Sequence, residues 1–101
     1  MASLKAVKGG RFLLEGDIST SHVPALLESG WQVLSCAQES TLIIDFSMVV
    51  DADSATLAMV LEWMKRAQSI SKCLMLTNFP EELYALATIC GLNHLLVTDT
   101  K

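Results

Sequence analysis

The chain has no run of apolar residues long enough to cross a bilayer. Its hydrophobic stretches are broken by Asp, Ser, Glu, Lys or Pro well short of the roughly 18 residues a spanning helix needs, so direct membrane insertion is not expected. The amino terminus, MASLKAVKGGRF, carries positive charge with no apolar segment behind it and does not read as a secretory signal, so the expectation is a cytoplasmic protein. Cysteine is scarce: Cys36, Cys73 and Cys90 are isolated, with no CxxC or HxxxH partner, so neither a disulfide framework nor a zinc site is implied and buried, reduced thiols are expected. Basic residues are few as well. Seven Lys and Arg, scattered, stand against eleven Asp and Glu, and a net charge of -4 gives no electrostatic footprint for DNA or RNA. There is no GxSxG elbow, GxxxxGK[ST] loop or GxGxxG fingerprint, and His22 and His94 are far apart without an acid or thiol at ligand spacing. A conventional enzyme is not expected, and no cofactor or metal is called for.

Apolar residues are plentiful instead, at 51% of 101 residues with a mean hydropathy of +0.44. One domain spanning 1–101 is implied, and its apolar excess over the needs of a small core argues that another protein covers part of the surface. A homodimer of the isolated chain stays open on the same ground.

Strand and helix signals alternate throughout. Leu4 to Val7 and Phe12 to Leu14 are strands joined across Gly9-Gly10, a pair suited to the positive φ angles of a hairpin. Gly16 ends the second strand, and Asp17 to Ser21 supplies caps for a helix holding Val23, Leu26, Leu27, Trp31 and Leu34, with Pro24 in its first turn and Gly30 as a point of bending or fraying. Thr41 to Phe46 is apolar on both faces, which predicts a central strand covered by helices on its two sides. A helix follows from Ser54 to about Ser69, with Leu57, Val60, Leu61, Met64 and Gln68 on one stripe. Lys72 to Thr77 is a buried strand. Asn78 caps a third helix with Pro80, Glu81 and Glu82 in its first turn, Leu83, Leu86, Ala87 and Cys90 on its buried face and Gly91 just past its end. A short edge strand, Leu92 to Val97, closes the chain. The alternation predicts an α/β fold with a mainly parallel central sheet, right-handed crossovers and an amino-terminal antiparallel hairpin, with helices on the sheet faces.

The stretch from Leu42 to Leu61 concentrates the functional signals. An apolar strand leads through Asp45, Ser47, Asp51 and Asp53 into a helix that begins at Ser54, so backbone N–H groups, a helix dipole and a hydroxyl meet at one surface point. Carboxylates near strand ends can hold magnesium, as in a phosphate-receiving domain, but Asp53 reads more simply as an N-cap. Ser54 and Thr56 read first as helix-cap and first-turn hydroxyls; the alternative is exposed groups whose phosphorylation would alter a docking surface. At about 100° per residue, Met59, Trp63 and Arg66 fall off the core stripe of this helix. Trp, Met and Arg are enriched at protein interfaces, so Ser54, Thr56, Met59, Trp63 and Arg66 form a candidate partner-binding patch. The alternative is that Trp63 packs sideways against a neighbouring helix.

These residues also carry a family resemblance. Leu42-Ile43-Ile44-Asp45-Phe46-Ser47 followed by Asp53-Ser54-Ala55-Thr56-Leu57-Ala58 resembles the LDLS…(V/M)DS(S/A/G)GLA signature of STAS domains, shared by anti-sigma-factor antagonists and the cytosolic tails of sulfate transporters. Leu13-Leu14-Glu15-Gly16-Asp17-Ile18 looks like the family's L.GELD segment, and Glu82 to Leu95 like its final helix and strand. In length and element order the chain is most similar to the small STAS subunit of the bacterial phospholipid-transport ABC system that maintains outer-membrane lipid asymmetry. That resemblance implies a STAS fold and a non-catalytic module that binds and regulates or stabilises an ABC transporter ATPase subunit, peripheral to the inner membrane, with Ser54 on the docked face. The alternative is an anti-sigma-factor antagonist-type switch controlled by phosphorylation, with Ser54 as candidate phosphoacceptor. The chain departs from the signature where Ala55 stands at the antagonists' phosphorylated serine, Thr56 replaces the usual Gly, and Ser19 takes a place where many members carry Asp.

Overall fold

The computed structural model describes residues 2–92 and 96. Its elements run β1 (Ser3–Ala6), β2 (Arg11–Asp17), α1 (Val23–Cys36), β3 (Thr41–Asp51), α2 (Ser54–Ser69), β4 (Cys73–Thr77) and α3 (Glu81–Ile89), with a 3-10 turn at Thr20–His22 before α1. The strands lie in chain order, β1 antiparallel to β2 and the other neighbours parallel, which is the expected α/β architecture. Gly9 and Gly10, at φ 63° and 79°, make the hairpin turn. The Gly10 carbonyl accepts from Ile43 N–H at 2.8 Å, and a Cβ there would stand 2.7 Å from the Thr41 oxygen, so the turn is fitted against the start of β3.

Because the chain steps across the sheet in one direction, β2 to β3 to β4, right-handed crossovers bring α1 and α2 to the same face. Burial follows that geometry. Phe12, Leu14, Leu42, Ile44, Phe46, Leu74 and Leu76 are buried, whereas Leu13, Ile43, Asp45 and Met75 between them are only half-buried. β3 is therefore not enclosed equally on two sides as its apolar composition predicted; its alternate residues belong to a thinly covered face.

α2 is the central core helix, burying Thr56, Leu57, Met59, Val60, Trp63, Met64 and Ala67. Its buried stripe is rotated from the expected one: Leu61 is half-buried and Gln68 exposed, and Met59 and Trp63 take their places. The rotation comes from α1, which flanks α2 and adds a second wall to the one formed by the sheet. Trp63 lies over Gly30, where a Cβ would come within 2.5 Å of the indole Cζ2, and its Nε1–H donates to the Leu27 carbonyl at 3.0 Å. Gly30 thus does not break α1, which is continuous; it is the notch that lets two helices approach.

The helix ends differ from expectation in detail. α2 closes with Ser71 in the left-handed region at φ 63°, its N–H on Gln68 O and that of Lys72 on Ala67 O at 2.8 Å, a paired motif that satisfies the last carbonyls. The same pattern ends α3, through Gly91 to Thr88 and Leu92 to Ala87. Asn78 does not cap α3: it sits at φ 57°, its amide is bonded to Asp45, and the N-cap position is Pro80. All three thiols are exposed, correcting the expectation of buried cysteines, since Cys36 and Cys90 fall at helix ends and Cys73 opens β4 on the less covered face. His94 and most of the strand expected from Leu92 to Val97 lie outside the described residues.

Candidate functional site

β3 runs five residues past its expected end, and the extension shapes the site. Against β2 the register passes from Leu13↔Asp45 to Glu15↔Met48, then from Gly16↔Val49 to Asp17↔Asp51, so β3 carries two extra residues. Each extra residue reverses which side chains face inward. Phe46 faces the core, and the next residues packed against it are Val49 and Ala52, at intervals of three rather than two. Met48 and Val50 are left outside, 55% and 80% exposed.

The start of α2 is fixed by a reciprocal cap. The Asp53 carboxylate accepts from Ala55 N–H at 3.0 Å and Thr56 N–H at 3.4 Å, while Asp53 N–H donates to Thr56 Oγ1 at 3.1 Å. The Thr56 hydroxyl in turn donates to the Ile18 carbonyl in the β2–α1 loop, and Ile18 N–H donates to Asp51 O at 2.9 Å. Loop, strand end and helix start are thereby tied to one another. Thr56 is fully buried in this knot, so the side chain that replaces the signature glycine is a tether. Ser54, the first helical residue, is exposed beside the N–H groups and positive dipole end of α2.

The three aspartates singled out in the sequence serve separate local bonds. Asp45 Oδ1 accepts from Asn78 Nδ2 at 2.9 Å and Ser47 N–H at 2.8 Å. Burial pushes its pKa up, but the Asn78 amide and the Ser47 N–H and hydroxyl outweigh that and hold it below the ordinary value. Asp51 accepts from Ala52 N–H at 3.0 Å, and Asp53 caps the helix. Nearby, Asp17 accepts from the Ser19 hydroxyl and N–H at 2.5 and 3.0 Å, which lowers its pKa, with His22 Nδ1 at 3.8 Å. Among the described residues no three His, Cys, Asp or Glu side chains gather where a metal ion could be held.

Of the five residues expected to share a contact face, only Ser54 is exposed. Thr56, Met59 and Trp63 are at most 1% exposed, so they do not form a surface patch. Arg66 is half-buried, bonded to Glu62 at 2.9 Å and Glu28 at 3.3 Å and lying 5.9 Å from the Trp31 ring centroid, where it fastens α2 to α1. Trp63 packs sideways, the alternative its position allowed. Sequence reasoning missed Met48 and Val50; the signal available was a Met-Val-Val run directly after a segment already long enough for an average strand.

A hydroxyl and two apolar side chains are thus presented at the carboxyl end of the parallel strands, with the neighbouring carboxylates occupied in structural bonds. The chain belongs to the STAS-domain family, since the family model described as "Mlab, STAS domain" matches residues 5–98. The unphosphorylated form of the anti-sigma factor antagonist SpoIIAA superposes with a TM-score of 0.71 at 16% identity, over 100% of this chain and 90% of that one. A variant of Moorella thermoacetica RsbS gives 0.69 at 17% identity, over 97% and 85%. The structure of Mglu gives 0.56 at 20% identity, over 75% of this chain and 19% of that one. These likenesses establish the fold. No curated protein matches the chain in sequence.

Proposed function

We propose that this STAS domain is a non-catalytic module that docks on the ATPase subunit of a phospholipid-transporting ABC complex at the cytoplasmic face of the inner membrane, and regulates or stabilises it. The observation that carries the reading is the exposed Ser54 at the head of a rigidly tied α2, adjoining a strand end that presents Met48 and Val50 to solvent. Exposed apolar side chains beside a polar helix terminus are what a protein partner desolvates. The Asp53-Ser54 signature, the chain's similarity to the lipid-asymmetry STAS subunits and the description of its family model support the choice of partner. The same exposed hydroxyl also suits an anti-sigma-factor antagonist-type switch, in which phosphate on Ser54 would place about two negative charges on the docking surface.

Affinity purification of the tagged chain from native membranes tests the reading. An ABC ATPase is expected with the wild type and is lost with Ser54→Glu, while Ser54→Ala retains it. Recovery of a serine kinase in its place, with phosphate found on Ser54, would establish the switch and overturn the transport role.

A further inference from the structure

We propose that Met48–Asp51 of β3 is a strand-addition edge that receives an extended, basic segment of the docking partner, an inference that rests on the docking reading above. β4 pairs with β3 only as far as Asp45↔Thr77. There Asn78, at φ 57° and bonded to Asp45, turns the chain away, and Phe79 lies edge-on against Phe46 at 5.0 Å between ring centroids. The Ser47 N–H is taken by the Asp45 carboxylate. From Met48 onward β3 has β2 on one side and, among the described residues, no strand on the other. Folded proteins blunt such an edge with charge, proline, a bulge or a cover; this one has a bulge at Val50 and a charge at Asp51, yet exposes the apolar Met48 and Val50. An added strand would satisfy the open main-chain groups and cover both apolar side chains.

Charge decides the occupant. Residues 12–64 contain no Lys or Arg and eight of the chain's eleven carboxylates; Asp51 lies on the edge, Asp17 pairs with it from β2 and Asp45 precedes it in β3, with His22 beside Asp17 and Arg11 acting on Asp45 as the basic groups. A second copy is disfavoured, because it would bring the same lysine- and arginine-free acidic region against itself, like charge against like. Lys or Arg flanking a short apolar stretch of a partner matches the edge in charge and apolar pattern.

The test uses the purified ATPase subunit of the host's lipid-transport ABC complex. In its complex with the wild type, the Met48–Asp51 amides are expected to exchange with solvent at least tenfold more slowly than in the free protein. Val50 is the extra β3 residue with no register partner in β2, a bulge position at which a sheet accepts proline. Both Val50→Pro and Val50→Lys are expected to weaken binding at least tenfold, leaving the circular dichroism of the free protein unchanged. A complex that forms without protecting these amides, or that binds both variants as tightly as the wild type, overturns the edge and leaves docking intact. Absence of any complex with wild-type protein overturns the docking reading and the edge with it.

Discussion

Gly30→Ala is a substitution for which the ordinary helix rule gives the wrong sign. In an open helix interior it stabilises by roughly 0.5–1 kcal/mol, because alanine loses less backbone entropy. Here the new Cβ would stand 2.5 Å from Trp63 Cζ2 and 3.0 Å from Cη2. Carbon atoms rest at about 3.5–4.0 Å, so one of the helices or the indole must shift by about 1 Å. Overpacking of this kind costs about 1–3 kcal/mol, and displacing Trp63 stretches its bond to Leu27 O, for about 1 kcal/mol more. After the helix gain is subtracted, the net is a loss of about 1–3 kcal/mol. For a domain of this length that lowers the melting temperature by roughly 5–20 °C.

Thermal and urea unfolding of four proteins settle the origin of the loss: wild type, Gly30→Ala, Trp63→Phe and the double variant. Phenylalanine removes the atom that collides, so Gly30→Ala is expected to be close to neutral in the Trp63→Phe background, with a coupling energy of about 1–3 kcal/mol. A melting temperature that rises in Gly30→Ala alone, or effects that simply add, would refute the notch.

Thr56→Val replaces a fully buried hydroxyl by a methyl of similar size, removing the cap bond to Asp53 N–H and the donor to Ile18 O; unfolding in urea should show a loss of about 2–3 kcal/mol. Ser71→Gly relieves a left-handed serine at the end of α2 and should raise stability by about 0.5–1 kcal/mol in the same assay. Asp45 has a folded-state pKa below its ordinary value of 3.8, so the stability it contributes is present above that value and disappears as pH falls through the folded-state value. Asn78→Ala removes a donor to that carboxylate; the variant should be less stable near pH 7, and its curve should converge on that of the wild type in strong acid, whereas a constant gap across the pH series would show that the amide does not act through the charge.

Much of the fold was legible because its signals are local. Asp53-Ser54 announces the start of α2 by a capping preference, Gly9-Gly10 announces the hairpin, and the alternation of strand and helix signals yields the parallel sheet. What escaped depends on contacts between distant segments. A hydrophobic stripe gives one direction for α2, but a helix wedged between a sheet and α1 turns a different arc inward, and so Met59 and Trp63 are inside. Asn78 has the residue type of a cap yet bonds a strand thirty-three positions earlier. Nothing local distinguishes the bulged end of β3 from a loop, because the bulges exist only relative to the register of β2. Ser54 was found and Met48 and Val50 were not, for the same reason: a cap is written in sequence and a register shift is not.

The bulges also explain how a surface can vary on a core this tightly tied. In a regular strand every second residue is committed to the interior, and changing an outward residue leaves its inward neighbours in place only while the register holds. β3 inserts its two extra residues where the sheet ends, so Met48 and Val50 sit outside the alternation that places Ile44, Phe46 and Val49. Asp53 and Thr56 then reset the geometry by pinning α2 to Ile18, whatever the residues between are doing. The Asp-Ser-x-Thr run therefore combines two kinds of constraint. Asp53 and Thr56 position the helix, and changing them costs stability; Ser54, together with Met48 and Val50, meets the solvent, and changing them is close to neutral for folding while altering the partner that fits. Selection for a new partner can act on the second set without disturbing the first.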